Sequence, residues 1–92
     1  MNVTFDQAKD AVNLAKHGVS LAEVVGFEWG KALIWPDQRR DYGEARMMAL
    51  GYIGLRLMVT VFVDRPPEQP IERRIISLRK ANNREVNRYA KT

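Results

Sequence analysis

A chain of 92 residues with 46% hydrophobic content has the size of one compact domain around one core, so a single domain over residues 1–92 is expected. It contains no cysteine, which excludes a disulfide scaffold, thiolate-held zinc and thiol catalysis, and suits a reducing cytoplasm. The formal charge of +4 is unevenly spread: residues 65–92 carry eight Lys or Arg against three Glu, while residues 1–64 are close to neutral, so a polyanion or an acidic protein surface should meet the C-terminal third.

Thr4 with Gln7 reads as a capping box, and Ala8, Ala11, Val12 and Ala15 recur at helical spacing until Gly18, which predicts a helix over residues 5–17. Ser20 with Glu23 repeats the signature, and Leu21, Val24 and Val25 predict a short second helix that ends near Phe27 and packs on the first. Residues 32–35 read as a brief strand closed by Pro36, followed by a polar loop over residues 37–43. Residues 46–53 and 55–64 are apolar and β-prone, with a tight turn at Gly54 between them. The prolines in Arg65-Pro66-Pro67-Glu68-Gln69-Pro70 cannot continue a strand, so a stiff loop leads to another strand over residues 71–79. Asn82 with Glu85 opens a last helix whose apolar edge is Val86, Tyr89 and Ala90.

The expected fold is therefore α+β: two N-terminal helices, a four-stranded and mainly antiparallel sheet, and a C-terminal helix. Antiparallel pairing follows because no connection between strands is long enough for a crossover helix. The longest apolar run, residues 57–63, has a strand's length and does not span a bilayer, so no membrane partner is expected.

Cationic side chains on a strand require anionic partners, either the protein's own carboxylates or a bound phosphate. Regular alternation along residues 71–79 puts Arg73, Ile75, Ser77 and Arg79 on one face and Arg74, Ile76 and Leu78 on the other. His17, the only histidine, closes the first helix, where the helix dipole favours its protonated form; it is either a helix cap or a proton-transfer group. Glu44 and Arg46 flank Ala45 on a shared face, as a surface ion pair or as a base and a cation beside a phosphate. Arg65 ends its strand just before the proline elbow, as a guard of the sheet edge or as a phosphate ligand. Arg84, Arg88 and Lys91 form one stripe of the last helix, solvated or RNA-steering, and Tyr89 lies on its apolar edge, packed in the core or stacked on a base. No HExxH, Walker loop, glycine-rich dinucleotide turn or metal-ligand cluster occurs, so any chemistry is expected to need no metal and no cofactor.

Several segments together resemble the BrnT family, the RelE-like ribonuclease toxins of bacterial type II toxin–antitoxin pairs. They are Phe5-Asp6 with Ala8-Lys9, Asn13-Leu14-Ala15-Lys16-His17-Gly18-Val19-Ser20, Gly43-Glu44-Ala45-Arg46, Ala49-Leu50-Gly51, Val61-Phe62 with Arg65, Arg74-Ile75-Ile76-Ser77 with Arg79 and Ala81, and Glu85 with Tyr89. They run in order over nearly the whole chain; the turn at Gly54 is shorter and the proline loop longer than the family pattern.

The resemblance implies mRNA cleavage that inhibits translation, possession of a RelE-like fold, and neutralisation by a BrnA-type antitoxin with a ribbon-helix-helix part, through which the complex would bind operator DNA. Metal-free RNA cleavage needs a base for the 2′-hydroxyl, cations for the phosphorane and an acid for the 5′-oxygen. The expected catalytic set is His17, Glu44, Arg46, Arg65 and Arg79: Arg79 and Arg65 hold the scissile phosphate, Arg46 assists beside Glu44, and His17 or Glu44 takes the proton. Lys16, Arg74, Lys80, Arg84, Arg88 and Tyr89 are expected RNA contacts, and the C-terminal cations could instead serve a non-catalytic module that docks an acidic segment, RNA or the ribosome. A direct DNA-binding role is disfavoured, because no helix pair carries a recognition-helix pattern.

Overall fold

The apolar and β-branched runs in the middle of the chain form one mixed sheet in the computed structural model, which describes residues 1–39, 41 and 43–92. Its strands are β1 (Asn2–Phe5), β2 (Leu33–Pro36), β3 (Met47–Ile53), β4 (Arg56–Arg65) and β5 (Glu72–Lys80), ordered β1-β5-β4-β3-β2. Helix α1 (Gln7–His17) and two 3-10 helices, Leu21–Gly26 and Trp29–Lys31, precede β2, and α2 (Asn83–Ala90) closes the chain. Of the polar loop over residues 37–43, Arg40 and Tyr42 lie outside the described residues.

The α+β class stands, with two corrections. The sheet has five strands among the described residues rather than four, because residues 2–5 pair in parallel with residues 72–75 of β5. Thr4 is thus a strand residue whose Oγ1 donates to Glu72 Oε2 at 2.6 Å; the cap of α1 is Asp6, whose Oδ1 accepts from the Ala8 and Lys9 amides at 2.7 and 3.2 Å. The expected second helix is a 3-10 turn: Ser20 caps it, but Glu23 turns to Arg56 at 2.9 Å instead of closing a capping box. The C-terminal helix does carry its box, with Asn82 Oδ1 accepting from the Glu85 amide and Glu85 Oε1 from the Asn82 amide, both at 2.9 Å.

Each face of the sheet has its own core. On one side Leu21, Val24 and Phe27 pack on Met58, Phe62, Ile75 and Leu78. Gly51 admits the Phe27 ring here, since a Cβ at that position would lie 2.9 Å from Phe27 Cζ. On the other side Met48, Leu50, Val59 and Val61 pack with Leu33, Trp35 and Tyr89.

The strand pairing steps from Val61–Ser77 to Phe62–Ile75, so Ile76 is an extra residue in β5, a β-bulge. A bulge shifts the alternation by one, and it overturns the expected grouping of the arginines. Arg73 and Ile75 face the Phe62 core and Leu78 joins them, whereas Arg74, Ser77 and Arg79 face the opposite side with Val63, Val61 and Val59. Arg73 is accordingly structural: its guanidinium lies 4.4 Å from the Trp29 ring centroid and 4.3 Å from that of Phe62, and it holds Asp64 through two bonds of 2.8 Å.

Beyond Ile75, β1 no longer accompanies β5, and α1 takes its place. The buried Asn13 carboxamide accepts from the Leu78 amide at 3.1 Å and donates to the Leu78 carbonyl at 2.7 Å and the Val19 carbonyl at 2.9 Å. It stands in for the missing strand and satisfies an edge that would otherwise be open.

Candidate functional site

In a sheet, directly paired residues project to the same face, and so do residues two apart along one strand. Arg65 pairs with Glu72, Val63 with Arg74, and Val59 with Arg79, which puts Arg65, Arg74 and Arg79 on the face that α2 partly covers. Arg46 immediately precedes Met47, the partner of Phe62, so by alternation it belongs beside Val63 on that same face. Arg88 of α2 lies there too, its guanidinium 4.2 Å from the Trp35 ring centroid.

Carboxylates restrain these cations. Arg65 holds Glu44 through Nε at 3.2 Å and Nη2 at 2.8 Å, and both side chains remain about 40% exposed. Arg74 stands at longer range from Glu72 and Asp6, 3.7 and 3.9 Å. Arg79 meets Glu85 end-on, Nη1 to Oε1 and Nη2 to Oε2, each at 2.8 Å, while Nη1 also donates to the Lys80 carbonyl. This pair is better shielded, with side-chain exposures of 29% and 14%. End-on pairing leaves the Nε edge of Arg79 for a second anion, since a guanidinium has five donors in a fixed fork.

These contacts set the proton affinities. The bond from Arg79 holds the Glu85 carboxyl below its ordinary range, and the bond from Glu85 raises Arg79, so the pair stays ionised at neutral pH. The bond from Arg65 likewise lowers Glu44. A carboxylate so stabilised is a weak proton acceptor.

His17 lies apart from the arginine row, at the end of α1, where it lines a hollow against Ile76 and Ser77 of β5 together with Lys16. The helix dipole was expected to favour its charged form. Instead burial, then the charges of Lys16 and Arg79, hold the imidazole below its ordinary pKa, so it is neutral at pH 7.

The remaining expected contacts fall in several places. Lys80 pairs with Met58 and points to the face opposite Arg79. Arg84 is exposed on α2, and Lys91 is exposed just past its C-terminal end. Tyr89 packs edge-on against Tyr52, with 5.5 Å between ring centroids, and its hydroxyl donates to the Lys31 carbonyl at 3.0 Å.

Two residues of this face escaped the sequence reading. Glu85 appeared as half of a capping box and as one residue of the family resemblance, with no role at Arg79, yet the same carboxylate joins α2 to Arg79. Arg39 appeared only as loop, yet it grips the buried Asp37 through two bonds of 2.8 Å, and its charge is felt by both Arg79 and Glu85. The Asp37 amide is in turn held by the Arg46 carbonyl at 2.8 Å, which ties the loop to β3. An Asp two residues before an Arg just after a strand was the available signal, and it is a weak one.

No helix among the described residues is long and apolar enough to cross a membrane, and among them no group of three or more His, Cys, Asp or Glu is placed to hold a metal ion. The family described as the ribonuclease toxin, BrnT, of type II toxin–antitoxin system matches the chain over residues 5–85. No curated protein matches it.

Proposed function

Because the chain belongs to the BrnT family of ribonuclease toxins of type II toxin–antitoxin systems, we propose that it cuts mRNA without a metal ion on the arginine-bearing face of its sheet, and so inhibits translation. A BrnA-type antitoxin with a ribbon-helix-helix part neutralises it and carries the complex to operator DNA. The setting is the cytoplasm. The observation that supports this reading best is the common face of Arg46, Arg65, Arg74 and Arg79, which the bulge at Ile76 makes possible.

Arg79 holds the scissile phosphate through its Nε edge while Glu85 fixes the guanidinium from the other end. Its raised pKa makes it a charge stabiliser and not a proton donor. His17, neutral at pH 7, accepts the proton of the 2′-hydroxyl. The 2′-oxygen then bonds to phosphorus, the bond from phosphorus to the 5′-oxygen breaks, and Lys16 beside His17 returns a proton to the departing oxygen. The products are a 2′,3′-cyclic phosphate and a 5′-hydroxyl.

Arg65 takes a neighbouring phosphate and not the scissile one. From Val59, the partner of Arg79, to Arg65 is six residues of β4, about 20 Å of strand, too far for both arginines to grip one phosphodiester. Arg46 and Arg74 lie between them, and the charge of Arg39 in the loop adds to the field at Arg79, so the face suits consecutive phosphates of a single strand. Glu44 orients Arg65, its lowered pKa making it the poorer base. Arg84, Arg88 and Tyr89 serve as outer contacts for the flanking RNA, and Lys80, on the opposite face, does not.

The test is inducible expression of wild type and Arg79→Ala, with mapping of RNA ends. Growth arrest with new 2′,3′-cyclic phosphate ends in wild type, both lost in a folded Arg79→Ala protein, supports the reading. Arrest without cut RNA would point to a non-catalytic module that binds RNA, the ribosome or an acidic protein segment.

A further inference from the structure

The hollow between α1 and the outer edge of β5 has a chemistry of its own. It measures about 330 Å³, with a floor of Ala8, Val12 and Ile76 and a rim that includes Lys9, Lys16 and His17. Lys9, Val12 and Lys16 fall at i, i+3 and i+7, one stripe of α1 beside the inward-facing Asn13. Val12 is 65% exposed although it is the apolar centre of that stripe.

No carboxylate lines the hollow among the described residues, and the nearby acids are turned away. Asp6 caps α1, and Asp10 accepts from the Ser20 hydroxyl at 2.9 Å and the Leu21 amide at 2.7 Å. The hollow is thus a cationic rim around an uncovered apolar floor. A phosphodiester chain answers the rim but offers nothing to cover Val12. An acidic segment with an apolar side chain answers both.

We propose that this hollow docks an acidic segment of the antitoxin, with an apolar side chain seated on Val12 and Ile76 and carboxylates on Lys9 and Lys16, beside the neutral His17. The proposal rests on the toxin reading above and deepens it: an occupant here covers His17, so the antitoxin stops proton transfer without filling the arginine face.

The probe is the full-length protein encoded by the reading frame that adjoins this one, labelled for fluorescence anisotropy and titrated with the full chain. Lys9→Glu and Val12→Glu, singly and together, alter the hollow at exposed positions outside the catalytic set. The double variant should weaken binding on the order of a hundredfold, the scale of losing a central apolar anchor and reversing a charge. RNA cleavage by the same variants should stay near the wild-type rate. Should the double variant lose its helical circular dichroism, Lys9→Glu alone still decides, with a smaller loss of affinity and a shallower salt dependence expected.

Unchanged affinity in the folded variants, or no binding by wild type, overturns the docking site. Intact binding with lost cleavage also overturns it and gives the hollow to RNA. A wild-type chain that cuts no RNA, together with variants that weaken binding, leaves the docking site standing and removes the nuclease reading instead.

Discussion

Through one carboxamide, Asn13 bonds both backbone polar groups of Leu78, 65 residues away in sequence and the next residue but one after the Ile76 bulge. The same group holds the Val19 carbonyl, so the end of α1, with Lys16 and His17, is pinned to the strand that carries Arg79. The helix that carries the proposed base and the strand that carries the proposed phosphate ligand are thus joined by a side chain that does no chemistry.

Asn13→Ala should therefore cost about 3 kcal/mol or more of stability, since each buried polar partner left unsatisfied costs roughly 1–3 kcal/mol. Urea unfolding measures it. A loss below about 1 kcal/mol would mean that water replaces the carboxamide and that α1 is not pinned.

For a folded Arg79→Ala protein, the cleavage rate should fall about a hundredfold or more, the usual scale for losing one transition-state donor. Arg79→Lys keeps the charge but lacks the planar fork that serves Glu85 and a phosphate at once, so most of the loss should remain. Single-turnover cleavage of a short RNA checks both. Wild-type rates in either would remove Arg79 from the chemistry.

Arg73 and Arg74 are neighbours in sequence and opposites in role. Arg73→Gln removes the cation between Trp29 and Phe62 and strands Asp64, so it should lower the melting temperature but leave RNA affinity unchanged. Arg74→Gln should do the reverse, with the log–log salt slope of RNA binding smaller by about one contact's worth. Equal effects of the two on RNA binding would contradict the bulge-based assignment of faces.

Glu85 gives stability a definite pH dependence. Its folded pKa lies below the ordinary glutamate range, so its contribution is full above that range and is lost as pH falls through the folded pKa. Glu85→Gln should flatten the acid limb of the stability profile, while a Glu44→Gln change, at an exposed pair, should alter it little. Thermal melts between pH 3 and 7 separate them, and an unaltered acid limb in Glu85→Gln would refute the coupling.

Much of this was legible in the residues. The capping box of α2, the Gly54 turn, the three long strands and the helix ended by Gly18 follow from local chemistry that tertiary contacts did not override. Strand β1 was hidden because four residues carry little periodicity and Thr4 satisfies a helix-cap pattern as well as a strand. The bulge was hidden for a different reason. Ile75 and Ile76 are equally apolar, so nothing local marks which one leaves the ladder, and the faces of the arginines depend on that choice. Arg39 was hidden because its role comes from Asp37 being buried, a property of the packing alone.

The central claim, that consecutive RNA phosphates lie along one face of the sheet, is tested most directly by NMR of arginine Nε–Hε groups titrated with a 2′-O-methyl oligonucleotide, which binds without being cut. Shifts confined to Arg39, Arg46, Arg65, Arg74, Arg79, Arg84 and Arg88, with Arg73 unmoved, are the predicted result. Saturable binding that leaves Arg79 and Arg74 unmoved would contradict it.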